Sequence, residues 1–284
     1  MPNGLDATLE MVPTRPMAQG SDGDAGSDPA EGAWAGSAGL TLIFAPGTRP
    51  DADGVARLIA ASREAGLAAS VSHRPVGEAT WLELLASGLT FDLVGLAPGK
   101  GAPIPEPVQR FGLDEGDDPG AGEAIALVPS GHILGGAGMQ PVMRIMLGLA
   151  ANLVLGLKAE TPVRAVAWGP ARTLMEPRYF CRMVLAWLGG GAFPALGLTA
   201  LLAAPDGSVA SRGLAHFTGQ EIQLEAREGE SAADTVKLAV RVIDHLVRRG
   251  RLTAPLRIEA APQALLAEPS QVGKLVLIWR EDGD

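Results

Sequence analysis

The side chains of His132, His216 and Glu221 are suited to proton transfer, and all three residues lie outside the expected helices. Imidazole and carboxylate groups act as general acids and bases when they lie within hydrogen-bond reach of one substrate. With the large side chains of Trp168 and Tyr179 they make a candidate cleft or interaction site. A hydrogen-bonded structural role is the favoured alternative for each of them, so no catalytic residue is assigned.

Metal and cofactor sites are not expected. The four histidines show neither H-x-x-x-H nor H-x-H spacing, and the single cysteine, Cys181, cannot build a cysteine-based zinc site. The glycine-rich turn 130–138 stands between a strand and a helix, where backbone amides can hold an anion. However, Pro141 occupies the place of the third Rossmann glycine, and no Walker A motif follows. The acidic run 114–118 lacks EF-hand spacing, which favours a solvated loop over a Ca²⁺ site.

Composition and charge bear on nucleic-acid binding, cellular location and membrane insertion. The chain has 284 residues and a formal net charge of -9, which argues against general nucleic-acid binding. One cysteine and the lack of a basic, apolar leader favour a reducing, cytoplasmic setting. The uncharged run 183–205 is long enough to span a membrane, but glycines at 189–191 and Pro194 interrupt it. We interpret it as a buried helix followed by a buried strand, without stable membrane insertion.

Hydropathy and turn signals predict an α+β protein in which mixed β-sheets are flanked by helices, arranged as two α/β halves. Residues 1–38 lack apolar periodicity and are expected to form a disordered tail. The small α/β half covers 39–97 in the order β-α-β-α-β, with its second helix over 78–87. The segment 98–122 is either a linker or a long loop over one half, and 123–284 forms the α+β half.

The second half has clear helix boundaries. Ser231 is the expected N-cap of its best-defined helix, and Gly250 the residue that ends it. Trp168 ends a strand whose imperfect alternation predicts that helices or loops cover both of its faces. The expected elements are helices over 141–157, 177–188 and 231–249, and strands over 123–129, 163–168, 193–204, 256–260 and 274–279, with one or two more within 208–226.

The region from about 123 to 280 resembles a bacterial family known only as a domain of unknown function. The resemblance is carried by a Trp-Gly strand, an aromatic residue opening a helix, and a Gly-Leu…Gly-x-Glu-Ile segment before a long helix. It maps onto Trp168, Gly169, Phe180, Gly213, Leu214, Gly219, Glu221 and Ile222. The resemblance implies an α+β fold and supplies no activity.

Two functions are compatible with these patterns. Peripheral membrane association is a third and less favoured hypothesis. The lead hypothesis is a non-catalytic cytoplasmic protein that binds a protein partner as a regulatory or accessory factor. The alternative is a small enzyme or ligand-binding domain with a cleft near Trp168, His216 and Glu221. The alternative requires His216 and Glu221 to face a concave pocket beside Trp168, whereas a buried seam at that place favours the lead hypothesis.

Overall fold

The helices and strands of the chain form two β-sheets with helices packed against them. The computed structural model describes residues 39–64, 69–77, 79–114, 116, 119–157, 161–227, 229–260 and 263–280, so the predicted tail over 1–38 lies outside it. In chain order the elements are β1 (Leu40–Phe44), α1 (Ala52–Glu64), β2 (Ala69–His73), β3 (Trp81–Ala86), β4 (Leu89–Val94), β5 (Gln109–Phe111), β6 (Glu123–Pro129), α2 (Gln140–Gly156), β7 (Ala165–Trp168), β8 (Thr173–Met175), α3 (Pro177–Leu188), α4 (Ala195–Leu198), β9 (Ala200–Ala203), β10 (Val209–Arg212), α5 (Ala215–Thr218), β11 (Glu221–Leu224), α6 (Ala232–Arg249), β12 (Leu256–Ala260), β13 (Gln263–Pro269) and β14 (Leu275–Arg280).

Both sheets are mixed, which confirms the α+β class. The first sheet has eight strands in the order β2-β3-β4-β6-β1-β7-β8-β5, and only the β5–β8 pair is parallel. The second has six strands in the order β12-β13-β14-β11-β10-β9, and only the β11–β14 pair is parallel. Residues of α1, α2 and α3 share one hydrophobic core with the first sheet, and residues of α6 share it with the second.

The first sheet takes strands from both of the predicted halves. Strand β1 pairs with β6 on one side and with β7 on the other, so 39–97 and 123–284 do not form separate sheets. The described residues of 98–122 lie between β4 and β6 of this one sheet. They contribute β5 to the sheet edge, and Ala102, Ile104 and Leu113 pack on the sheet face that the helices leave open.

The helix predicted over 78–87 is wrong, because 81–86 form strand β3. Leu82, Leu84 and Ala86 are buried, and their period of two places them on one face of a strand. Ser87 and Gly88 both have positive φ, 50° and 81°, which makes the two-residue turn that joins β3 to β4 in a hairpin. The apolar residues Trp81, Leu82 and Leu85 also fit a helical spacing, and that ambiguity misled the prediction.

The uncharged run 183–205 is broken in the middle, as predicted. Helix α3 ends at Leu188, and a glycine turn leads to α4, a single turn in which Gly197 has a φ of 119°. The strand predicted over 193–204 is limited to β9, and strands β5, β8 and β13 were not predicted. In the described part of the chain, no helix has the length and hydropathy that crossing a bilayer requires.

The two sheets meet where Gly213 touches Ala171. Ala171 lies in the turn between β7 and β8 of the first sheet, and Gly213 directly follows β10 of the second. A Cβ on Gly213 would lie 2.7 Å from both the Cα and the Cβ of Ala171. The side chain of Gln109 adds a second link, because its amide exchanges hydrogen bonds with the backbone of Leu201. The junction therefore depends on the absence of a side chain at position 213.

We expect Gly213→Ala to lower the free energy of unfolding by about 3 kcal/mol or more, because strain at φ +89° is added to a backbone clash. The matched control is Gly47→Ala, where φ is +73° and no atom lies within 4 Å of the added Cβ. This control carries the strain alone and should cost about 1 kcal/mol. Urea denaturation measures both, and equal costs would show that the Ala171 contact does not constrain the fold.

Candidate functional site

Trp168 and His216 lie together at the junction of the two sheets. Their ring centroids are 5.4 Å apart at an interplanar angle of 76°, an edge-to-face contact. Trp168 is fully buried, as the sequence predicted, and its indole Nε1 donates to the carbonyl oxygen of Leu198 at 2.9 Å. Phe217 packs on the same indole with centroids 6.0 Å apart. The tryptophan therefore fills the junction and does not line an open cleft.

The imidazole of His216 is held in an apolar environment. Its Nε2 is buried and has no hydrogen-bond partner among the described residues. Burial lowers the pKa of His216 from its usual value, because the surroundings do not solvate the imidazolium ion. The ring is therefore neutral at physiological pH and packs as an aromatic side chain.

The carboxylate of Glu221 is fully occupied by the protein itself. It accepts hydrogen bonds from the hydroxyl of Ser211 at 2.5 Å and from the backbone amides of Gly213, Leu214 and Ala215 at 2.8, 3.2 and 3.1 Å. These amides belong to the start of the short helix α5, whose N–H groups have no partner within the helix. Glu221 thus positions α5, and with it His216, and is not directed at a substrate.

The aromatic contacts continue away from Trp168 into the core. Phe217 meets Phe193 with centroids 4.7 Å apart, and Phe193 meets Trp187 at 5.4 Å. The guanidinium of Arg144 lies 4.8 Å from the centre of the Trp187 ring and donates to the carbonyl oxygen of Leu188. This row of rings joins α2 and α3 to α5, so the segment containing His216 is a packing seam.

Tyr179 and His132 do not join this group. The hydroxyl of Tyr179 donates to the carbonyl oxygen of Leu196 at 3.1 Å, and its ring is stacked on Phe111. Burial raises the pKa of Tyr179, so the phenol stays protonated. Nε2 of His132 lies 3.0 Å from the hydroxyl of Thr90. Of the five candidate residues, Trp168, His216 and Glu221 are brought together, and the other two lie elsewhere.

The glycine-rich turn 130–138 lies against α5. A Cβ on Gly138 would stand 2.7 Å from the carbonyl oxygen of His216, so the absence of a side chain allows the close approach. Most of the turn is a short 3-10 helix, Gly131–Gly136, in which no side chain caps the N-terminus. The glycines therefore serve packing between the turn and α5.

A buried polar pair that the sequence analysis missed lies on the first sheet. The hydroxyl of Ser130 donates to Asp92 at 2.6 Å, and both residues are buried. Burial raises the pKa of the Asp92 carboxyl, and Glu83, paired opposite it on β3, acts in the same direction. The signal was a charged residue within the apolar strand β4. Because His132 contacts Thr90 and not Ser130, the serine lacks the imidazole base that nucleophilic catalysis needs.

In the described part of the chain, possible metal ligands are scattered, and a small cleft lies away from the candidate residues. No three His, Cys, Asp or Glu side chains there are grouped so that they could hold a metal ion. Cys181 is a buried free thiol. A small cleft of about 140 Å³ is lined by Phe44, Ala45, Pro46, Pro119, Ala121, Gly122 and Arg164. None of the five candidate residues lines it.

Comparison of the chain with protein-family models, curated proteins and solved structures gives no match. The resemblance of residues 123–280 to a bacterial family of unknown function therefore stays a prediction.

We expect Glu221→Ala to lower the free energy of unfolding by about 2–4 kcal/mol, because Ser211 and buried backbone amides lose their acceptor. Glu225→Ala, at an exposed position four residues along the same segment, is the matched control and should change it by less than about 0.5 kcal/mol. Chemical denaturation at neutral pH gives both values. A Glu221 variant as stable as the control would mean that the carboxylate does not hold α5.

The buried imidazole predicts a pH dependence of stability. The folded pKa of His216 lies below that of the unfolded chain, so the unfolded chain binds the extra proton as the pH falls through about 6.5. The contribution of His216 to the free energy of unfolding is therefore fully present above about pH 7 and is lost as the pH falls toward about 5. We expect His216→Phe to make the decrease between pH 7.5 and pH 5.5 smaller, because the phenyl ring takes up no proton in either state. Identical pH profiles for the wild type and His216→Phe would contradict this assignment.

Proposed function

We propose that this chain is a non-catalytic accessory protein that binds a protein partner through one face of the six-stranded sheet. We call it the outer face. Its residues alternate along the strands with the buried residues Val209, Ile222, Leu224, Val276 and Ile278, which belong to the core shared with α6. The outer face includes Leu202, Ala210, Arg212, Glu221, Gln223, Arg257, Glu259, Leu266, Glu268, Leu275, Leu277 and Trp279.

The proposal depends on the large apolar side chains of this face. Leu266, Leu275, Leu277 and Trp279 are half-buried, Leu202 is exposed, and none of them belongs to the hydrophobic core. A sheet with one covered face normally presents polar side chains on the other. A group of leucines and a tryptophan rimmed by charged residues is typical of a surface that another protein covers.

The alternative, a small enzyme or ligand-binding domain, receives less support. It required His216 and Glu221 to face a pocket beside Trp168. Trp168 is fully buried and Glu221 accepts four hydrogen bonds from the chain itself, so the residues form a seam. To accept a proton from a substrate, Glu221 would have to give up its hydrogen bonds to the first amides of α5.

A cytoplasmic location is part of the proposal. It is supported by the single cysteine, which is a buried thiol, and by the absence of a helix suited to crossing a bilayer in the described part of the chain. The net charge of -9 favours a protein partner over a nucleic acid.

Affinity capture from an extract of the native host, followed by mass spectrometry, tests the function. We expect the wild-type chain to retain a specific protein that Leu277→Arg loses, because a charge at the centre of the outer face opposes burial. The matched control is Leu185→Arg, which places the same charge at an exposed leucine of helix α3. If every bound protein is retained equally by both variants, or if the purified chain carries a bound metabolite and no specific protein, the proposal is wrong.

A further inference from the structure

We infer that the outer face binds the outer face of a second copy of this chain, which makes a two-fold dimer with the two sheets packed face to face. The inference rests on the proposed function, because it names the partner that the face binds. Three properties of the face carry it, namely the central position of its apolar residues, its area, and the arrangement of the charges at its rim.

The apolar residues occupy the middle of the sheet. In the strand order β12-β13-β14-β11-β10-β9 the centre lies between β14 and β11, and Leu275, Leu277 and Trp279 are on β14. Leu266 is directly opposite Trp279 on β13. A two-fold axis between the two copies, parallel to the strands and midway between β14 and β11, places β14 of one copy over β11 of the other. Leu277 then stands over Gln223 of the second copy, about 4.8 Å to the side of its own counterpart.

The area of the face suits a dimer of moderate affinity. Six strands spaced about 4.8 Å apart and about five residues long present roughly 30 Å by 17 Å, or about 500 Å² on each copy. Two such faces bury about 1,000 Å² in total, without the extra area that protruding side chains add. This is the lower end of the range of buried areas found in specific interfaces. We therefore expect dissociation in the micromolar range.

The charges at the rim are complementary under this symmetry. A two-fold axis parallel to the strands, between β14 and β11, places β13 of one copy over β10 of the other. Glu268 on β13 is in register with Leu277, Gln223 and Ala210, so it stands over Ala210 of the second copy. Arg212 lies two residues beyond Ala210 on the same face, about 7 Å along the strand.

The symmetry therefore brings Glu268 and Arg212 together at two places in the dimer. Neither residue forms an ion pair within the described part of a single chain. Both side chains are long enough to meet across the 7 Å offset. Opposite charges at matching positions favour this register and disfavour a shifted one.

Sedimentation velocity of the full-length chain, from about 1 to about 200 µM, tests the inference. We expect a concentration-dependent monomer–dimer equilibrium that Leu277→Arg weakens at least about tenfold and Leu185→Arg leaves unchanged. Glu268→Arg and Arg212→Glu should each weaken the dimer, and the double variant should restore it, because the charges are exchanged. Circular dichroism and thermal unfolding show whether each variant is folded. If Leu277→Arg does not fold, the Glu268 and Arg212 variants alone test the dimer.

Two results would overturn the inference. One is a wild-type chain that remains monomeric at about 200 µM. The other is a dimer that neither the Leu277 nor the rim variants weaken, since its interface would then lie elsewhere. A monomeric chain that still loses a captured protein when Leu277 becomes arginine would refute the second copy and retain the proposed function. A monomeric chain without any protein lost in that way would refute both.

Discussion

The indole of Trp168 is the contact on which the arrangement of the two sheets depends. It ends β7 in the first sheet, donates to Leu198 just before the second, and packs on His216 and Phe217 of α5. Such a ring buries more apolar area than any other side chain, and its N–H requires an acceptor when water is excluded. The carbonyl of Leu198 supplies that acceptor. Helix α5, in turn, keeps its place because Glu221 binds its first amides.

Much of the fold follows from local signals. Pro141 lies at the start of α2, and Ser231 and Gly250 cap the two ends of α6. These residue types favour helix ends through local interactions that do not depend on the rest of the fold. Strand β3 shows the opposite case. Its apolar residues satisfy both the helical and the strand period, and the choice is made by pairing with β4 through a turn that contains a serine at positive φ. Pairing between distant segments, such as β1 with β6, leaves no comparable signal in either segment.

The candidate site could be predicted only in part, and the reason is physical. The sequence identifies Trp168 as a buried anchor and groups it with His216 and Glu221, which do lie together. It does not reveal that Glu221 is bound by backbone amides, because every residue type except proline offers the same amide donor. Asp92 was detectable in principle, since a carboxylate inside an apolar strand must find a donor such as Ser130 or become protonated.

Strand β14 gives the strongest support for a protein partner. Residues 275–279 are apolar at every position, the composition expected of a strand covered on both faces. In the described part of the chain only the face of Val276 and Ile278 belongs to the core, and Leu275, Leu277 and Trp279 remain partly exposed. Full burial of one such side chain contributes about 1.5–3 kcal/mol, so covering the exposed third or less of each of these three and of Leu266 yields at most about 2–4 kcal/mol. That gain is large enough to offset part of the cost of association, and a single chain cannot obtain it from its own described residues.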